Sequence, residues 1–185
     1  RTCFAAALEW KRTAQNGAGA EIWLSELIWR DFYVHKMAEQ AHKPASTQSP
    51  AGYDRPWRSA EDDLEAWCRG ETGYPLVDAA MRQLLATGWM HNRCRMVVAS
   101  FLVKHLLIDW RLGERFFMQH LIDGDPAANR GGWQWVAGVG SDAAPWYRIF
   151  NPTLQAQRFD PQGKYIRLWL PELRVLPSSL VLEPW

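Results

Sequence analysis

The stretch HNRCRMVVASFLVKHLLIDW, residues 91–110, decides the fold class. At about 100° per residue, a helix here gathers Asn92, Arg93, Arg95 and Met96 within roughly 160° of one face. The apolar run from Met96 to Val103 is interrupted at Ser100 and ended by Lys104, well short of the ~18 apolar residues a membrane span needs. The period predicts a helix over 89–109. The segment 89–111 holds Arg93, Arg95, Lys104 and Arg111 against one acid, Asp109. Two readings follow: a solvated basic face, or a face that contacts phosphate or another anion. Asn and Arg with a Met between them can bond the edge of a base while the thioether packs on its ring.

Outward from this stretch the helical period recurs. It predicts helices over 2–11, 21–41, 61–69, 76–87, 113–122 and 133–139. Ser59 with Asp62 reads as a capping box, Gly88 as the stop of the helix before it, and Asp109 to Gly113 as punctuation between helices. Residues 42–58 and 123–132 read as loops, rich in Pro, Gly, Ser, Asn and Asp. Pro recurs from 145 onward, so long helices are not expected there. No segment alternates cleanly and no repeat is visible. The expected fold is all-α, one domain over residues 1–185.

Net charge is +1, so any nucleic-acid role must rest on a local patch. The unusual figure is 12 Trp, more than a core needs and suited to stacking or electron transfer. Cys3, Cys68 and Cys94 lack metal spacing and fit a reduced intracellular compartment. His35, His42, His91, His105 and His120 form no ligand pattern, so no metal is expected. No GxGxxG, P-loop or signal peptide is present. The chain opens at Arg1 in RTCFAAALEW, a helical pattern already under way, and reads as a piece of a longer protein.

Residues 23–33, WLSELIWRDFY, put Trp23, Glu26, Trp29, Arg30 and Tyr33 on one side of a helix. Leu27, Ile28 and Phe32 cover the other. A helix apolar nearly all round is expected to be buried, which places Glu26 inside the protein or at the bottom of a cavity. A buried carboxylate needs a partner: either Arg30 at i,i+4, or a ligand in an aromatic-walled pocket. Residues 123–135, DGDPAANRGGWQW, also read two ways. The aspartates aim carboxylates into a site, or they form an Asx turn before a Pro-initiated helix. GGW lets the backbone approach something flat, and Trp133 and Trp135 point different ways.

Together these segments, with TGYPLVDAAMRQL (72–84), NRCRMVVASFLVKHLLIDWR (92–111) and DAAPWYRIFNP (142–152), resemble the DNA photolyase/cryptochrome family in the same order along essentially the whole chain. They are most similar to class I cyclobutane pyrimidine dimer photolyases. The resemblance implies the C-terminal helical, FAD-binding half of a carbon–carbon lyase that repairs DNA with light. Reduced anionic FAD would donate an electron to a dimer flipped out of UV-damaged DNA. An antenna chromophore of folate or deazaflavin type is expected only on the family's N-terminal α/β domain. That domain and the Thr/Ser-rich stretch for the FAD phosphates are missing here, so the isolated piece is expected to be unstable as a monomer. The full-length protein is expected to be a cytoplasmic, nucleoid-acting monomer with no membrane partner.

By the same resemblance, Glu26 and Asn129 are the catalytic residues, Glu26 on the thymine edge and Asn129 at flavin N5. Trp133, Trp110 and Trp57 form an electron-transfer series from flavin to surface. Trp23, Glu26, Arg30, Trp89, Asn92, Arg95, Asp123, Gly124, Asp125 and Asn129 surround FAD. Glu26, Trp29, Arg30, Asn92, Arg93, Met96 and Trp135 meet the dimer or the damaged strand. Asp31 and Trp146 sit where related sequences often carry Glu and another aromatic. A cryptochrome-type signalling flavoprotein is the alternative, and Glu26, Asn92, Met96, Asn129 and Trp135 speak against it. A Trp-rich helical binding domain is the third reading.

Overall fold

A computed structural model describes residues 2–13, 18–42, 56–140 and 146–183. Among these every regular element is helical, as the period and the missing alternation require. The chain forms two compact units, residues 1–49 and 50–185. Most of the expected 42–58 loop and residues 142–145 of DAAPWYRIFNP lie outside the described residues.

The first unit is a helical hairpin of α1 (Thr2–Thr13) and α2 (Ala18–Ala41). Ala7 of α1 and Ala20 and Leu24 of α2 are its buried residues. Lys11 and Glu21 pair at 2.8 Å, and the Lys11 ammonium holds the Glu21 carboxyl below its ordinary pKa. Both are exposed, so the pair adds little stability. The expected burial of α2 is not found. Trp23 is 51% and Trp29 44% exposed, and Glu26 and Arg30 are exposed with them. The apolar girdle was read correctly, but α1 covers only a narrow stripe of it. Trp29 instead packs against residues on its own helix, stacked on Tyr33 at 6.0 Å and edge-on to Phe32 at 5.7 Å.

The second unit carries α3 (Glu61–Arg69), α4 (Pro75–Thr87), α5 (Asn92–Ser100), α6 (Trp110–His120), α7 (Pro126–Ala137), α8 (Pro152–Phe159), α9 (Lys164–Trp169) and α10 (Ser178–Leu182). After residue 145 the helices are short, as the prolines predict. Trp67, Met81, Leu84, Met90, Leu102, Trp110 and Ile166 form a fully buried core between α3, α4, α5, α6 and α9. An indole buries on the order of 200 Å² of surface, worth about 5 kcal/mol at the usual area coefficient. Trp67 also satisfies its N–H, donating to the Val98 carbonyl at 3.0 Å.

Several expected boundaries move. The Ser59–Asp62 capping box does not form: the N-cap of α3 is Ala60, with no side-chain cap. Arg58 sets the entry to α3 instead, donating to the Leu106 carbonyl at 3.1 Å, to Asp63 at 3.1 Å, and through its backbone N–H to Leu107 at 2.8 Å. The same contacts break the expected 89–109 helix. It starts at Asn92, where the His91 ring accepts from the Arg93 N–H at 3.0 Å. It widens to a π-helical turn over Phe101–His105 and ends before Leu107, whose φ is +57°. The next helix begins at Trp110 rather than 113, because Asp109 caps it. Gly113 is therefore no punctuation but a buried position inside α6. Gly88 does stop α4, with φ +69°.

The TGYP segment hangs on one carboxylate. Asp78 accepts from the Thr72 N–H at 2.8 Å, the Thr72 hydroxyl at 2.6 Å and the Gly73 N–H at 2.9 Å. Burial raises its pKa, against the opposing pull of these hydrogen bonds and of Arg82. Asp78→Asn replaces an acceptor with a donor facing an N–H. It is expected to cost about 2 kcal/mol, read as a lowered denaturant midpoint of the full-length protein. An unchanged midpoint would mean the loop stands without this carboxylate.

Candidate functional site

The site residues of the second unit collect around the turn between α6 and α7. Arg95 reaches across from α5: its Nη2 donates to both Asp123 oxygens at 2.8 and 3.0 Å, and its Nε to the Met90 carbonyl at 2.7 Å. The Ile122 N–H donates to the Gly88 carbonyl at 2.9 Å, joining this turn to the loop that carries Trp89. A Cβ at Gly88 would lie 2.6 Å from Ile122 Cγ2, so the close approach needs glycine. Arg95 and Asp123 are thus joined directly, and the turn that holds Asp123 and Gly124 is hydrogen-bonded to the loop that carries Trp89.

The loop expected over 123–132 is shorter. Asp125 is the N-cap of α7, accepting from Ala127 and Ala128 N–H at 3.0 and 2.9 Å, with Pro126 at the first helical position. Of the two readings of DGDP, the Asx turn before a Pro-initiated helix is the one that forms. The helix expected over 133–139 therefore begins at Pro126 and carries Asn129. Asn129 donates its amide N–H to the Glu114 carbonyl at 2.9 Å, tying α7 to α6. Burial raises the pKa of Glu114 itself, opposed by Arg130 and Arg115. A Cβ built on Gly132 meets no described atom within 4 Å. The backbone of α7 thus has open space beside it at this glycine.

Trp133 and Trp135 diverge as their spacing required. Trp133 is 2% exposed, while Trp135 is half-buried. The Trp133 ring meets Phe117 edge-on at 5.1 Å and Trp67 at 6.2 Å. Neither partner was singled out from sequence, because α3 and α6 bring them in from distant positions. Trp110 is fully buried. Trp57 lies on the rim of the core, 6.5 Å from Trp146. On α5, the Asn92 amide nitrogen is 4.0 Å from the Met96 sulfur. Arg93 lies over the Phe159 ring at 5.1 Å and the Phe150 ring at 6.0 Å. Two phenylalanines thus hold this guanidinium by cation–π contact, which no local pattern revealed. Trp23, Glu26, Trp29 and Arg30 belong to the first unit and present their side chains along α2.

The frame pairs the Arg95 guanidinium with the Asp123 carboxylate beside the start of α7. No group of three or more His, Cys, Asp or Glu is gathered for a metal among the described residues, and none of their helices is long and apolar enough to cross a membrane. Comparison with known proteins identifies the family. Residues 23–185 match the FAD binding domain of DNA photolyase. Over its full length the chain is 56% identical to the deoxyribodipyrimidine photo-lyase of Escherichia coli, of which it covers 39%. It is 49% identical to that of Streptomyces griseus, covering 40%. The chain thus spans about two-fifths of the length of these relatives. Among solved structures, it matches a class III photolyase from Agrobacterium tumefaciens with a TM-score of 0.82 at 46% identity, over 98% of this chain and 37% of that one. A Synechocystis cryptochrome matches with a TM-score of 0.84 at 38% identity, over 98% and 38%.

Proposed function

The chain belongs to the family of FAD-binding domains of DNA photolyase, and from that membership we propose that it is the FAD-holding, dimer-recognising part of a light-driven repair enzyme for cyclobutane pyrimidine dimers. The identity of 56% over the whole chain to a deoxyribodipyrimidine photo-lyase carries this reading. The cryptochrome reading has a TM-score of 0.84 in its favour against 0.82. That difference does not separate two proteins of one fold, and the sequence identity of 46% against 38% favours the photolyase.

The residues present fit FAD: the Arg95–Asp123 frame, the open face at Gly132 and the fixed Asn129 amide support it. Trp23, Arg30, Trp89, Asn92, Gly124 and Asp125 complete the proposed set around the cofactor. Bound and reduced to its anion, FAD supplies one electron under blue light. Asn129 would face the flavin N5 edge and would bias which reduced state is stable. Glu26 bonds the polar edge of a thymine and stabilises the charge that arrives there. Its exposure on α2 leaves the carboxylate accessible to that edge. Trp29 and Trp135 offer aromatic faces to the dimer, and Met96 packs beside Asn92. Trp110 and Trp57 continue an indole series from Trp133. The antenna chromophore, the cytoplasmic and nucleoid setting and the monomeric state belong to the same proposal for the full-length protein.

Glu26→Gln is expected to lower the repair quantum yield severalfold while dimer binding is retained. The check is light-dependent dimer loss per absorbed photon, with binding measured separately. An unchanged yield removes Glu26 from the chemistry. Arg93→Ala is expected to weaken damaged-DNA binding and to reduce the slope of log K against log salt by about 0.9, the value for one phosphate contact. An unaltered slope would place Arg93 away from phosphate, its contacts with Phe150 and Phe159 then being structural.

A further inference from the structure

We propose that His91 is a positioning residue for dimer binding: its neutral imidazole caps α5 and sets the first turn, with Asn92 and Arg93, and protonation of the ring releases that turn. The inference rests on the reading of Asn92 and Arg93 as contacts to the dimer or the damaged strand.

The cap has a particular chemistry. His91 has φ −59° and ψ 141°, outside the helix it starts. Its Nδ1 accepts from the Arg93 N–H at 3.0 Å, and its carbonyl accepts from the Arg95 N–H at 3.1 Å. The first turn of α5, with both arginines, is therefore fixed at its start by this one residue. The usual N-caps are Asn, Asp, Ser and Thr, whose oxygens still accept near neutral pH. A histidine accepts at Nδ1 only while neutral, with its proton on Nε2. Histidine is also the side-chain type that changes charge between about pH 5 and 8.

The surroundings hold the ring in place and leave it open to protons. His91 is exposed and meets the Trp89 indole edge-on, at 6.4 Å and 81°. The loop before α5 is pinned along its length. The Gly88 carbonyl accepts from the Ile122 N–H, the Trp89 N–H donates to the Thr87 hydroxyl at 3.2 Å, and the Met90 carbonyl accepts from Arg95. None of these bonds needs the His91 ring, so the first turn of α5 is the part that its loss sets free.

The charges nearby oppose protonation. On the elements joined to this turn they are Arg93 and Arg95 on α5, Arg158 on α8, and Asp123, Asp125 and Asp160. Arg158 shares the Phe159 ring with Arg93. Each carboxylate is already engaged: Asp123 by Arg95, Asp125 by the Ala127 and Ala128 N–H groups, and Asp160 by the Ile166 N–H at 3.0 Å. An imidazolium at His91 joins the arginines at the positive end of a helix, and its Nδ1–H faces the Arg93 N–H. A hydrogen bond is thereby replaced by two opposed donors.

The sign of the pH effect separates this role from a simpler one. A cation gained beside a phosphate strengthens DNA binding, whereas uncapping the turn that carries Asn92 and Arg93 weakens it.

The test uses the full-length protein with FAD bound, kept in the dark, and a duplex carrying one thymine dimer, with undamaged duplex as reference. Affinity is measured from about pH 8 to about pH 6 at constant salt. Wild-type affinity for the dimer should fall about fivefold on acidification, the factor for one lost N-cap. His91→Asn keeps an accepting cap that does not titrate. It should bind like the wild type in the alkaline half of the range and keep that affinity in the acid half. His91→Ala should be weaker throughout by about the same factor, with no pH step. Coincident profiles for the wild type and His91→Asn overturn the inference. So does a wild-type affinity that rises on acidification, a rise absent from His91→Asn, which would make His91 a phosphate contact. No preference for the dimer at any pH contradicts the repair reading itself, and the inference falls with it.

Discussion

Replacing Trp133 by phenylalanine is expected to abolish light-driven reduction of oxidised FAD in the full-length protein, while an enzyme reduced beforehand still repairs dimers. The reasoning starts from burial. Trp133 is 2% exposed on α7, the helix that also carries Asn129 and the open face at Gly132. An indole there is oxidisable, and a phenyl ring is not at comparable driving force. The substitution also trims a buried ring that touches Phe117 and Trp67. That should cost about 2 kcal/mol, too little to unfold a domain of ordinary stability. Photoreduction of the bound flavin, followed in its visible bands, separates the two effects. Loss of both photoreduction and repair would make Trp133 a packing residue.

Gly113→Ala is expected to destabilise the protein by about 1–3 kcal/mol, against the usual rule that Ala in a helix is better than Gly by about 1 kcal/mol. Gly113 sits inside α6, and a Cβ there would lie 2.6 Å from Trp133 Cζ3 and 2.7 Å from Leu102 Cδ2. Neither neighbour is a flexible chain end, since one is a buried indole and the other a core leucine. The strain falls on Trp133, so altered photoreduction should accompany the lower denaturant midpoint of the full-length protein. A gain in stability would mean that α6 and α7 stand further apart than described.

What the sequence revealed follows from the range of the forces involved. The α3 helix matches its expected span of 61–69, because its pattern is local and Gly70 ends it with a left-handed φ of 68°. The helix expected over 89–109 broke where Arg58, far away in sequence, takes the Leu106 and Leu107 carbonyls. No periodicity reports such a contact. Asp125–Pro126 was ambiguous because the same dipeptide starts turns and helices. Glu26 was misplaced for a different reason. An apolar girdle shows that a helix has surface to cover, not which element covers it, and α1 covers little of it. Among the site residues, Arg95 and Asp123 were both named from sequence, but their direct pairing was not. The rings that hold Trp133, Arg93 and Trp146 were invisible for the same reason as the broken helix.

The most direct test is made on the full-length protein, purified with its flavin reduced and mixed with UV-irradiated oligothymidylate. Absorbance in the thymine band is followed in blue light and in the dark. The account predicts recovery of the thymine band in light and none in the dark. No recovery in light, with FAD bound and reduced, would contradict it and leave the chain a relative of cryptochromes with no dimer repair.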